Sequence, residues 1–237
     1  MGLTVIDLAA ADEIIQLNGG LNVAVQSNFE NVDLSGLTGT FGANITGTST
    51  ANTIVGSRNV DNIVAGGGAD VITGGGGADT IDLAETTAAR DTINVGFTTN
   101  GESAVSAMDV ITGFATGVAA TSDVLDFGMT VIGATNLGGG EAITAGGQFT
   151  WDNAGLADAA AVANLLAAAA AGAPNQATVQ NGTFFFVFGG DTYVGELHGG
   201  QNAETVVDLV RLVGVTGMTT LTDIDAGGAG TLLTLSA

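Results

Sequence analysis

Cysteine is absent from the 237 residues and so is lysine: positive charge comes only from Arg58, Arg90 and Arg211, against 24 acidic side chains. Without thiols there are no disulfides and no thiol chemistry, and the redox compartment leaves no trace in the sequence. A net charge of −21 repels nucleic acid and bare anionic membrane alike. Histidine occurs once, at His198, which excludes the H-E-x-x-H helix of a metalloprotease, and no G-x-S-x-G elbow is present. The glycine runs end in aspartate and not in lysine followed by serine or threonine, so no phosphate-cradling loop is encoded. His198 is expected in an exposed loop, and the isolated Trp151 and Tyr193 in packing roles. No run approaches the length of a membrane span. The opening MGLTVIDLAAADEIIQ is acidic and alternating, with no basic segment leading into an apolar one, so an amino-terminal secretory route is unsupported. Strand-like sequence directly after Met1 and Gly2 is expected of a fragment cut from a longer repetitive chain.

What the chain does contain is 39 glycines and a hydrophobic fraction of 46%. Disordered acidic chains are poor in Ile, Val, Leu and Phe, and this one is not, so a real core is expected. The length suits one large all-β domain or two smaller ones. Divalent counterions resolve the conflict between compactness and charge.

From Gly56 to Asp82 the sequence falls into rows of nine, GSRNVDNIV, AGGGADVIT and GGGGADTID. Asp61, Asp70 and Asp79 share one column, and Ile63, Ile72 and Ile81 share another, which continues upstream to Ile54 and Ile45 at the same nine-residue interval. Asn52 stands where a further aspartate would be. Glycine reaches positive φ without a Cβ penalty, so six glycine-rich residues make a tight turn, and three residues with one β-branched side chain make a short strand. Two such units close a coil of eighteen residues. Coils stacked at the strand spacing of about 4.8 Å build two parallel sheets whose isoleucines meet inside. Asp61 is then stacked with Asp79 on one flank, and Asn52 with Asp70 on the other. Carboxylates about 5 Å apart repel by roughly 3 kcal/mol at an effective dielectric near 20, so the ladder needs a cation. Oxygen-only ligation at a flexible spacing suits Ca²⁺ better than Mg²⁺ or a transition metal.

AGGGADVIT and GGGGADTID resemble the nonapeptide G-G-x-G-x-D-x-U-x of the repeats-in-toxin (RTX) family, the hemolysin-type calcium-binding repeat that folds as a parallel β-roll. The resemblance implies several bound calcium ions. Asp70 and Asp79 would supply carboxylates, and Gly66, Gly68, Gly74, Gly75, Gly76 and Gly77 backbone carbonyls. Asp61 and Asn52 would complete sites shared between neighbouring coils. Ala65 replaces a first glycine, and Ser57, Arg58 and Asn59 replace the glycines of the upstream turn, where Arg58 could lay its guanidinium in the place of an ion. Asp82, with Glu85 and Asp91, lies near the last ion, either as a cap or as a solvated acid.

The expected organisation is all-β with one helix: degenerate solenoid coils over 1–55, the calcium-binding β-roll over 56–95, a β-rich flanking region over 96–150, and a helix with further strands over 151–237. Leu3 to Leu8, Glu13 to Leu17 and Leu21 to Val25 read as short strands, and FENVDLSGL from Phe29 continues them. Asp91-Thr92-Ile93 follows Asp79-Thr80-Ile81 by twelve residues, so an insertion around Glu85 to Arg90 is expected to end or distort the roll. Strands with an acidic loop, offering a further ion site at Asp109, Asp123 or Asp126, come next. Asp152 or Asn153 can cap a helix with Val162, Leu165, Leu166 and Ala169 on its apolar face, stopped by Gly172 and Pro174. FFFVF, Gly189-Gly190 and DTYVGEL read as a hairpin, and Val206 to Val215 as a strand. The carboxy-terminal segment resembles that of RTX-type exported proteins, which implies an uncleaved signal for a type I ABC secretion system. The expected function is therefore a secreted, non-catalytic, calcium-binding module of a surface-layer or adhesin-type protein, with self-assembly at the cell surface. The alternative is the folding and export module of a secreted protease or lipase.

Overall fold

The computed structural model describes residues 4–8, 14–17, 20–21, 30–95, 107–132, 134–138, 140–152, 156–172, 181–198, 205–224 and 232–237. The expected strand beyond Leu21, the start of FENVDLSGL, Asn153 and Pro174 lie outside these residues. Twelve short strands come first: β1 (Thr4–Asp7), β2 (Ile14–Leu17), β3 (Gly20–Leu21), β4 (Asn31–Asp33), β5 (Ala43–Thr46), β6 (Thr53–Val55), β7 (Asn62–Val64), β8 (Val71–Thr73), β9 (Thr80–Asp82), β10 (Thr92–Asn94), β11 (Asp109–Thr112) and β12 (Val124–Asp126). From β4 to β12 successive strands alternate between two sheets, and each pairs in parallel with the strand two further on. Ile45, Ile63, Ile81 and Ile111 face one another in one sheet, and Val32, Ile54, Ile72, Ile93 and Leu125 in the other. This is the all-β parallel roll that the nine-residue period predicts.

The column of isoleucines is the core. Ile45, Ile54, Ile63, Ile72 and Ile81 are at most 1% exposed, each contributing roughly 1.5–3 kcal/mol of burial. Strands of only three residues carry one inward side chain each, so every β-branched residue in the column decides whether its coil closes.

The insertion after Asp82 neither ends the roll nor shifts its register, contrary to expectation. Ile93 still pairs with Ile72, Ile111 with Ile81 and Leu125 with Ile93. The extra residues between Asp82 and Asp91 loop out at the flank, because lengthening a turn costs little closure entropy while misplacing an isoleucine would empty the core. Only the unit of aspartate, one residue, then an apolar residue must be kept, and it recurs as Asp91-Thr92-Ile93, Asp109-Val110-Ile111 and Asp123-Val124-Leu125.

Beyond β12 follow β13 (Thr135–Gly138), β14 (Glu141–Ile143), β15 (Phe149–Thr150), α1 (Ala159–Gly172), β16 (Asn181–Phe188), β17 (Asp191–His198), β18 (Thr205–Leu212), β19 (Thr220–Asp223) and β20 (Leu232–Ser236). The first three form an antiparallel sheet of their own. The expected hairpin is β16–β17, turning at Gly189 and Gly190 with φ of 62° and 93°, which a side chain would oppose. Its partner β18 adds in parallel to β11, and β20 adds antiparallel to β12, so the carboxy-terminal strands close both sheets of the roll. Phe185, Val194, Val210, Leu212, Leu233 and Leu235 share one core with the isoleucine column.

A second core lies under α1, where Val162 and Leu166 are buried against Phe184, Phe186 and Leu209. Asp158 caps this helix, its Oδ1 accepting from the Ala161 N–H at 2.8 Å; Asp152 lies too far upstream of Ala159 to do so. Trp151 and Tyr193 pack as expected, Tyr193 stacked on Phe186 with ring centroids 5.1 Å apart. His198 is not in an exposed loop: it ends β17, half-buried, with Nε2 3.0 Å from Oε2 of Glu196.

Candidate metal centre

Each aspartate that precedes a strand sits at the corner where a turn meets the sheet, and its side chain reaches back along the roll. The Ala43 N–H donates to Asp61 Oδ1 at 2.5 Å, Asp61 N–H to Asp79 Oδ1 at 2.8 Å, and Asp79 N–H to Asp109 Oδ1 at 2.8 Å. On the other flank Asn52 N–H donates to Asp70 Oδ1 at 2.7 Å, Asp70 N–H to Asp91 Oδ1 at 2.9 Å, and Asp91 N–H to Asp123 Oδ1 at 2.9 Å. The stacking expected of Asp61 with Asp79, and of Asn52 with Asp70, is the lower part of these two columns. Asp91, Asp109 and Asp123 extend them, and the signal for that extension was the repeated aspartate two residues before an apolar one. All six aspartates are at most 6% exposed.

What holds the remaining carboxylate oxygen differs from turn to turn. Four residues before Asp61 stands Ser57, whose N–H donates to the remaining oxygen, Oδ2, at 2.6 Å, while its hydroxyl joins Ala43 N–H on Oδ1 at 3.0 Å. Four before Asn52 stands Thr48, whose N–H and hydroxyl both donate to the amide oxygen, at 2.7 and 3.1 Å. Asn52 is further tied through its own amide N–H to the Glu30 carbonyl at 2.5 Å. The Ser57 N–H and hydroxyl together, and not the guanidinium of Arg58, therefore complete the upstream turn; Arg58 is exposed.

At the matching place before Asp70 stands Gly66, with φ of 96° and no side chain to offer, and Asp70 Oδ2 is buried without a hydrogen-bond partner. Gly75, with φ of 94°, holds the same place before Asp79. Neither glycine can be replaced cheaply: a Cβ at Gly66 would fall 2.0 Å from the Thr48 carbonyl oxygen, and one at Gly75 would fall 1.9 Å from that of Ser57. Gly68 and Gly77 also have positive φ, and a Cβ on Gly74 would come 2.5 Å from Asp79 Oδ2. The Gly76 N–H is engaged by the Ser57 carbonyl at 2.9 Å, which leaves its own carbonyl as the group to offer. Asp82 is set apart from both columns: its Oδ1 accepts from Ala84 N–H at 3.0 Å and Thr112 Oγ1 at 3.1 Å, and Asp91 takes the corner instead.

Burial drives these carboxyls toward their neutral forms. Asp70 is pushed up to about 6 by burial, with the charge of Glu85 adding to it. Asp91 is pushed up to about 7, again chiefly by burial and then by Asp123, Asp70 and Glu85. Asp61 and Asp123 are raised by burial too, against the pull of their backbone hydrogen bonds. A bound cation relieves the same penalty without a proton. Among the described residues no three His, Asp or Glu side chains are grouped to hold a metal alone, so a shell here must mix carboxylates with main-chain carbonyls. That all-oxygen, irregular donor set fits Ca²⁺.

Stacked carboxylates at glycine corners on a parallel roll define a calcium-binding structural module. Residues 46–81 match the family model of the RTX calcium-binding nonapeptide repeat, in four copies. The chain therefore carries RTX calcium-binding repeats; no curated protein matches it. The matched stretch ends at Ile81; Asp91, Asp109 and Asp123 lie beyond it, where the separation along each column grows from 18 to 21, 30 and 32 residues.

Proposed function

We propose that this chain is an extracellular module of a surface-layer or adhesin-type protein, without catalysis of its own, whose folding waits for calcium until it has left the cell through a type I ABC transporter. The observation that carries this reading is Asp70: a carboxylate 1% exposed, one oxygen unpartnered, stacked in a column of further acids. A chain that must bury such a column folds poorly where calcium is scarce and readily where it reaches millimolar levels, the range of extracellular modules with dissociation constants of about 10⁻⁴ to 10⁻³ M. A transporter that passes unfolded chains requires that delay. The carboxy-terminal strands suit a signal read before folding and then used to close the roll. Small residues and the absence of lysine and cysteine support assembly at a cell surface.

Expression beside a type I transporter tests the proposal. The chain should reach the medium intact and become protease-resistant only when the medium contains calcium. Retention in the cytosol as a folded, calcium-independent protein would refute it.

A further inference from the structure

The coil that runs from Asp70 to Asp91 spans 21 residues, against 18 for the coil before it. Its added length forms a loop whose two charged ends reach in opposite directions along the roll. Glu85 reaches down: Oε2 accepts from the Gly68 N–H at 3.3 Å, and Oε1 accepts from Ala89 N–H, which closes the loop. Arg90 reaches up, donating through Nε to the Ser122 carbonyl at 3.0 Å and through its terminal nitrogen to the Ala119 carbonyl at 2.8 Å. The half-buried Glu85 carboxylate thus sits on the very turn that precedes Asp70, where Oδ2 is buried and unpartnered. No glycine occurs between Ala78 and Val95, so the tight glycine turn that a repeat would place above this corner is missing.

We propose that Glu85 is a ligand of a divalent cation held over the 66–70 turn, with Asp70 as the second carboxylate and main-chain carbonyls of that turn completing an all-oxygen shell. This rests on the calcium reading above and assigns a ligand outside the nonapeptide repeats. Two carboxylates balance the charge of one divalent ion; Asp123, further along the same flank, feels the charge of Glu85 too but has that of Arg90 to offset it. A glutamate on a loop tolerates the irregular geometry of Ca²⁺ better than the strict octahedron of Mg²⁺.

Counting bound calcium on the full chain by equilibrium dialysis tests the assignment, in wild type, Glu85→Gln, Arg90→Gln and the exposed control Glu30→Gln. The amide oxygen introduced by Glu85→Gln can accept from Gly68 or from Ala89 but not from both, so circular dichroism at saturating calcium first checks that the fold is retained. Glu85→Gln should lose one ion or weaken one site at least tenfold, while Arg90→Gln and Glu30→Gln keep the wild-type count. In wild type, calcium should also slow tryptic cleavage after Arg90, and in Glu85→Gln it should not at the same concentration. Unchanged binding in Glu85→Gln would overturn the assignment, and so would an equal loss in Arg90→Gln, since the loop's fold and not the carboxylate would then hold the ion. A wild-type chain that bound no calcium would instead overturn the calcium reading itself.

Discussion

The main-chain N–H of Asp70 donates to Asp91 Oδ1 at 2.9 Å across 21 residues, and the equivalent bond from Asn52 to Asp70 spans 18. The columns are therefore set by the aspartate and the apolar residue two positions later, and the turn between can be a glycine nonapeptide or a longer loop.

Asp70→Asn separates the two roles of this carboxylate. The amide keeps an oxygen for the Asn52 N–H but brings no charge to bury or to bind with. Without calcium the variant should be at least as stable as wild type; with calcium its midpoint should rise by about tenfold, as expected when a site loses a charged ligand. Circular dichroism in chelator at pH 5 measures the first and a calcium titration at neutral pH the second, and Glu30→Gln should change neither. A variant less stable than wild type in chelator would contradict the burial penalty.

Ser57→Ala removes a hydroxyl that Asp61 uses where a repeat would place an ion. The expected loss is about 1 kcal/mol, the usual net worth of one hydrogen bond, in saturating calcium and in chelator at pH 5 alike. An effect confined to calcium would mean that the hydroxyl belongs to an ion's shell.

The raised carboxyls fix the sign of the pH dependence. In calcium-free protein Asp70 at about 6 and Asp91 at about 7 bind protons more tightly folded than unfolded, where the ordinary value is 3.8. Their contribution is fully present below about 4 and is lost as pH rises through about 6 to 7. Calcium-free protein should thus show more β-sheet signal at pH 5 than at pH 7.5, and saturating calcium should narrow the difference. Higher stability at pH 7.5 in chelator would reverse the inference.

Deletion of 205–237 removes β18 and β20, which cover the last parallel strands of both sheets. Val210, Leu212, Leu233 and Leu235, all fully buried, go with them. The bare edges invite pairing between chains, so the truncated protein should need more calcium to fold and should aggregate, as light scattering would report. An unchanged calcium midpoint would show that the roll is independent of its closing strands.

Much of this arrangement was legible in the sequence. Isoleucine every nine residues gave the alternation between sheets, and Asp61, Asp70 and Asp79 gave their corners, because a strand of three residues leaves one inward position and no freedom in register. The continuation through Asp91, Asp109 and Asp123 was hidden by a changed period, since turn length is loosely constrained once the corner is fixed. The helix cap at Asp158 is not singled out by the sequence, because Asp152, Asn153 and Asp158 all precede the apolar face. The closure of the roll by β18 and β20 depends on contacts distant in sequence, for which the local pattern holds no signal.

Far-UV circular dichroism of the chelated full chain, followed through a calcium titration at neutral pH, bears most directly on whether the aspartate columns couple folding to the ion. The β-sheet signal should be weak in chelator and rise cooperatively toward millimolar calcium, with each site adding about 2.7 kcal/mol at a hundredfold excess over its constant. A full β-sheet signal that persists after complete chelation, unchanged by added calcium, would contradict that coupling.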